Sequence, residues 1–173
     1  QVAIVPLTIC FGEEEYVDGV TITHHQFYEK LVESDILPTT SQASPSAFMK
    51  VFDEVLGPDD SAVVLTISSK LSGTCQSALI AAAEYPNVHV VDGSSAAIGS
   101  GILAEYALRL VDMGKSAAEI ASILEEKKKD VCLIAMLDTL EYLKKGGRLS
   151  STVAFAGGLL NIKPVVNIED GEI

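Results

Sequence analysis

Two short β-branched runs, Ala62–Ile67 and Val88–Val91, bracket an apolar segment of helical length, and this spacing constrains the fold more than any other feature of the chain. Neither run alternates apolar with polar residues, so each reads as a strand buried on both faces. A strand, a helix over Thr74–Glu84 and a second strand make a βαβ unit with parallel pairing, because the crossover is too long for a hairpin. Val2–Phe11 and Val131–Met136 read as further buried strands, Tyr16–Val20 as a short extended return and Val165–Ile168 as an alternating strand before a turn at Asp170-Gly171. Capping patterns mark the helices. Thr23 with Gln26 and Ser116 with Glu119 form capping boxes, and Ser44-Pro45 is an N-cap followed by proline at the first helical position. Asp138 with Glu141 reads as the cap of a short helix ending in Lys144-Lys145-Gly146-Gly147. Strands alternating with helices predict an α/β fold, a mainly parallel sheet with helices on both faces. Residues 1–173 show no repeat, low-complexity tract or linker, and read as one domain.

The turn between the first buried strand and its helix is Ser68-Ser69-Lys70-Leu71-Ser72-Gly73-Thr74. Small hydroxyl residues at a helix N-terminus offer free backbone N–H groups and side-chain donors where the helix dipole favours negative charge. A second hydroxyl-rich loop, Leu37-Pro38-Thr39-Thr40-Ser41-Gln42, joins two helices. Together they predict a pocket for a carboxylate or phosphate head group. Each residue also has a plainer reading: Ser72 as an N-cap, Thr40 as a turn hydroxyl bonding its own backbone. The Ser72 turn is neither a G-x-S-x-G elbow nor a phosphate-binding loop with Gly-Lys-Ser/Thr.

A formal charge of −12 argues against nucleic acid or an anionic membrane surface as the main partner. No apolar run reaches the ~18 residues that suggest a membrane span. The start carries no basic, cleavable leader pattern. The cysteines Cys10, Cys75 and Cys132 are far apart and lack zinc spacing; Cys10 and Cys132 read as small core residues. Free thiols without a leader imply a reducing, cytoplasmic setting. No His, Cys or carboxylate cluster has metal-ligand spacing, and no cofactor is implied. Lys127–Lys129 and Glu13–Glu15 read as solvated charge runs. Phe48, Phe52, Ile98, Ile102 and Phe155 are ordinary core by periodicity. An enzymatic alternative also stands: a hydrolase or phosphotransferase on a small acid, with Asp92 or Asp138 as the acid at a strand's carboxyl edge.

Four motifs in order carry a resemblance: Leu37-Pro38-Thr39-Thr40-Ser41-Gln42-Ala43-Ser44-Pro45, Leu71-Ser72-Gly73-Thr74-Cys75-Gln76-Ser77-Ala78, Thr139 to Ser150 through Gly146-Gly147-Arg148, and Leu160-Asn161-Ile162-Lys163-Pro164. Together they resemble the DegV family of bacterial fatty-acid-binding proteins. The resemblance implies a non-catalytic carrier that encloses a long-chain fatty acid, with Phe48, Phe52, Ile98, Ile102 and Phe155 as candidates to line the acyl tunnel, and, in some members, presents its carboxylate to a partner fatty-acid kinase. It implies Thr40 and Ser72 as the hydroxyls on the carboxylate, with Ser41, Gly73 and Thr74 beside them, and Arg148 near the head group or the kinase surface. It also implies a fragment of a longer, two-domain architecture, beginning near the family's second strand and lacking a C-terminal region with a head-group histidine. His24, His25 and His89 do not match that histidine's context. Cys75 and Ala43 stand where the family more often has tyrosine and proline.

Overall fold

The computed structural model describes residues 1–149 and 163–173. At its centre, β4 (Ala62–Thr66) and β5 (Val88–Asp92) pair in parallel, Ala62 opposite Val88 and Thr66 opposite Asp92. Successive side chains on these strands point to opposite faces. On one face Ala62, Val64, Val88 and Val90 pack with α2 (Pro45–Val55) and α3 (Thr74–Ala82) through Phe48, Phe52, Ala78 and Ala81. On the other, Val63, Leu65 and Val91 pack with α4 (Ala97–Asp112) and α5 (Ala117–Lys127) through Leu103, Leu110, Ile120 and Leu124. This is the α/β architecture that the spacing of the two runs predicts, with helices on both faces.

Three of the predicted caps form. Thr23 and Gln26 bond reciprocally at the start of α1 (His24–Glu33), Ser116 and Glu119 do so at α5, and Ser44 accepts from the Ala47 N–H at α2. The strand content differs from the mainly parallel expectation. Among the described residues β4–β5 is the parallel pair; β1 (Thr8–Phe11) lies antiparallel between β2 (Glu14–Val17) and β3 (Thr39–Ser41), and β6 (Leu133–Met136) is antiparallel to β7 (Val165–Ile168). A two-residue turn such as Gly12-Glu13 permits antiparallel pairing alone, with Gly12 at φ +64°. Strand β1 is shorter than Val2–Phe11, because its partners reach only Thr8 and Pro6 has no N–H to donate. The loop expected at Leu37–Gln42 contains β3. Strand β6 is not buried: Ile134 is 67% and Met136 72% exposed on its outer face. Cys132 is exposed, Cys10 half-buried and Cys75 buried, so the core role falls to Cys75. Among the described residues no helix is long and apolar enough to cross a membrane.

Candidate functional site

The Ser68–Gly73 turn leaves the carboxyl end of β4 and is fixed by a dense set of bonds. The Ser68 N–H donates to the Ser95 carbonyl (2.8 Å), and the N–H groups of Leu71 and Ser72 donate to the Ser68 carbonyl (3.1 Å each). The buried Ser68 Oγ donates to the Gly171 carbonyl (2.7 Å) and accepts from the Lys70 N–H (3.2 Å). Lys70 also pairs with Glu172 at 3.3 Å. The turn after β7 therefore clamps the serine turn from outside, across most of the chain's length.

Asp92, at the end of β5, holds the same turn from the side. Its Oδ1 accepts from the backbone N–H groups of Ser69 (3.1 Å) and Ser94 (2.9 Å). Partial burial pushes its carboxyl up. The bonds from Ser69 and Ser94, with the nearby Lys128 ammonium, outweigh that and hold it below the usual carboxylate range. Lys128 is not a solvated helix end: its ammonium donates to the Asp92 carbonyl (2.9 Å) from a 3₁₀ turn, Lys128–Asp130. Asp138 does not cap α6 (Glu141–Lys145). It pairs with Lys163, which lowers its carboxyl; the N-cap position is Leu140, with no capping side chain, and the preceding Thr139 Oγ1 accepts from the Glu141 N–H (3.1 Å).

Ser72 stands one residue before Gly73, the N-cap of α3. Its Oγ is 2.9 Å from Thr74 Oγ1 and accepts from the Thr74 N–H at 3.3 Å. The hydroxyls of Ser72 and Thr74 and the first free amides of α3 thus share one spot, half-buried. Arg148 reaches this turn from α6: Nε donates to the Leu71 carbonyl (3.1 Å) and Nη1 to the Gly146 carbonyl. Gly147, at φ +71°, turns the chain to allow it. The structure therefore brings Arg148 to the residue preceding Ser72.

Thr40 and Ser41 lie on β3, Thr40 opposite Ile9 and Ser41 opposite Thr8, both exposed. Thr40 lines a cavity of about 350 Å³ whose walls include Leu7, Ile9, Phe27 and Tyr28. The two hydroxyl-rich turns meet through Gln42. Its Nε2 donates to Ser77 Oγ (2.9 Å) in the first turn of α3, and its amide oxygen lies against Gly73. Gln42 and the Ser68–Gly171 clamp were missed in the sequence, where nothing links residues so far apart.

The acyl-tunnel residues are not brought together. Phe48 and Phe52 are buried in the core under α3, Ile98 and Ile102 are exposed on α4, and Phe155 lies outside the described residues, as do Ser150 and Leu160–Ile162 of the motifs. A second cavity, about 410 Å³ beside Asp53, Leu56 and Tyr85, sits at the opposite end of the strands from the serine turn. Among the described residues no three His, Cys, Asp or Glu side chains converge as a metal site.

Known proteins are similar to this chain over nearly all of its length. A profile of the DegV family, described as uncharacterised proteins, matches residues 1–173. A DegV domain-containing protein of Caldanaerobacter subterraneus is 41% identical over 172 residues, 98% of this chain and 61% of that protein. A solved DegV family protein from Thermus thermophilus, described by its fatty acid binding, superposes with a TM-score of 0.85 at 40% identity, covering 97% of this chain and 60% of that one. The Streptococcus pneumoniae Fatty Acid Kinase (Fak) B3 protein, solved loaded with linoleic acid, superposes at 0.81 and 28% identity, over 97% of this chain and 61% of its own. The chain thus spans about three fifths of the length of these relatives. This chain belongs to the DegV family.

Proposed function

We propose that residues 1–173 are a lipid-binding α/β domain that holds a long-chain fatty acid without transforming it and presents its carboxylate to a partner fatty-acid kinase in the cytoplasm. The observation that carries this reading is the meeting of the two hydroxyl-rich turns through Gln42 at the N-terminus of α3, with Arg148 on the adjoining carbonyl. In the proposal, Thr40 and Ser72 donate their hydroxyls to the carboxylate, and Ser41, Gly73 and Thr74 form the surrounding wall of polar groups and amides. Each hydrogen bond to the charged head contributes about 1.5–3 kcal/mol, and each buried methylene about 0.8 kcal/mol. An unpaired carboxylate in an apolar site would be very costly, so the bound state needs these donors on the head group. Arg148, with its forked guanidinium, faces the acyl head or the kinase.

The relatives support the ligand class: the Thermus thermophilus protein is described by fatty acid binding, and the Streptococcus pneumoniae protein as a fatty acid kinase component loaded with linoleic acid. The hydrolase or phosphotransferase alternative draws less support. The Asp92 carboxylate is occupied by two backbone N–H groups and Asp138 by Lys163.

The test is organic extraction of the purified full-length protein followed by mass spectrometry. One long-chain fatty acid per protein is expected, with Ser72→Ala and Thr40→Ala each weakening uptake by roughly ten- to a hundredfold while the fold persists. A protein that carries no fatty acid and takes none up would overturn the reading.

A further inference from the structure

We infer that Gln42 is a positioning residue that locks the Thr40 strand to the Ser72 turn and so makes one head-group site out of two; this rests on the fatty-acid reading above. Two independent observations carry it. First, the Gln42 amide donates from Nε2 to Ser77 Oγ at 2.9 Å; Ser77 is 2% exposed while Gln42 lies at the surface, so the link is buried at its α3 end. Second, Gly73 has φ −71° and ψ 2°, a conformation open to any L-residue, so its backbone does not require glycine. What glycine leaves is room for the far end of a flexible side chain. A Cβ at Gly73 would overlap the Gln42 amide oxygen, and the three atoms nearest to it all belong to the Gln42 side chain. The amide therefore grips the first turn of α3 at both Gly73 and Ser77.

The sequence neighbours of these contacts are the proposed donors. Thr40 is two residues before Gln42, and Ser72 immediately precedes Gly73. One side chain thus ties the two segments at this edge, beside the core packing of the next residue, Ala43, with Ala78 and Ala81 of α3. Without it, each turn keeps its local structure, held by β1 on one side and by Ser68 and Asp92 on the other. With Ala43 still packed against α3, what is lost is the fine register of the two hydroxyls, which would then be ordered on binding at a cost in conformational entropy. The consequence is specific to a ligand that uses both hydroxyls at once. A carboxylate does so; the hydroxyl head of a fatty alcohol makes far smaller demands on the pair.

The experiment measures affinity of the full-length protein for myristate and for tetradecanol, in wild type, Gln42→Ala, Gly73→Ala and the double variant, with Ser72→Ala as reference. Each single change is expected to weaken myristate binding about tenfold, and Gln42→Ala to leave tetradecanol within about twofold. The double variant is expected to be no worse than either single, because the Gly73 methyl acts by displacing an amide that is already gone. Gly73→Ala also serves where Gln42→Ala does not fold, since its backbone tolerates alanine. If Ser72→Ala weakens myristate binding but neither Gln42→Ala nor Gly73→Ala does, the positioning role is wrong while the carrier reading stands. Equal losses for acid and alcohol, or losses that multiply in the double variant, likewise overturn it. A wild-type protein that binds neither myristate nor a longer fatty acid removes both readings.

Discussion

Gly171→Ala tests the clamp that the turn after β7 places on the serine turn. Gly171 has φ +83°, where a side chain is strained, and a Cβ there would lie 2.5 Å from Ser68 Oγ. That same hydroxyl, 1% exposed, donates to the Gly171 carbonyl at 2.7 Å. Placing alanine in the left-handed region costs roughly 1–2 kcal/mol. Displacing Ser68 breaks a buried hydrogen bond and leaves its partners unsatisfied, a further ~1–3 kcal/mol. The sum, roughly 2–5 kcal/mol, is a large share of the 5–15 kcal/mol that stabilises a typical domain. Urea unfolding of Gly171→Ala, Ser68→Ala and the double variant reads it directly. In the Ser68→Ala background the obstacle and the bond are already gone, so adding Gly171→Ala should cost only the backbone strain. Gly171→Ala within about 0.5 kcal/mol of wild type, or an identical cost in both backgrounds, would refute the clamp.

Three further outcomes are expected. Arg148→Ala should impair acyl-phosphate formation by a partner kinase more than it impairs ligand retention, measured on the same preparation; equal loss places Arg148 in the ligand site. Glu119, whose carboxylate accepts from the Ser116 N–H and pairs with Lys115, is pulled from 4.5 down to about 2. A lowered folded-state value stabilises fully above pH ~4.5 and is lost as pH falls toward 2, so Glu119→Gln should flatten that part of the stability curve, followed by circular dichroism. Leu124→Ala, fully buried between α5 and the parallel pair, should cost about 2–5 kcal/mol in thermal or urea unfolding, against a few tenths for an exposed position such as Leu108.

Much of the frame was legible in the residues. The β4–α3–β5 unit follows from two uninterrupted β-branched runs with a helix-length segment between them, and the caps of α1, α2 and α5 follow from local hydrogen-bonding rules that act within four residues. The serine turn's place at a strand's carboxyl edge follows from the same unit. Strand β3 was not legible, because Thr39–Ser41 forms a strand only by pairing with β1, and its hydroxyl side chains favour turns equally well. Nor was the outward face of β6, since Ile134 and Met136 look like core until their neighbours are known. Asp138 satisfied a capping pattern, yet a lysine 25 residues away competes for it.

What the sequence determined by itself is local: which segments prefer helix or strand, where helices start, and which turns carry donors for an anion. What only the tertiary structure decided is which of those turns share a site. Gln42 against Gly73, Ser68 against Gly171 and Arg148 against Leu71 are pairings of residues far apart in the chain. A hydrogen-bonding side chain prefers no particular distant partner until the packed sheet and helices hold the two within reach, so such pairings leave no periodic or compositional trace.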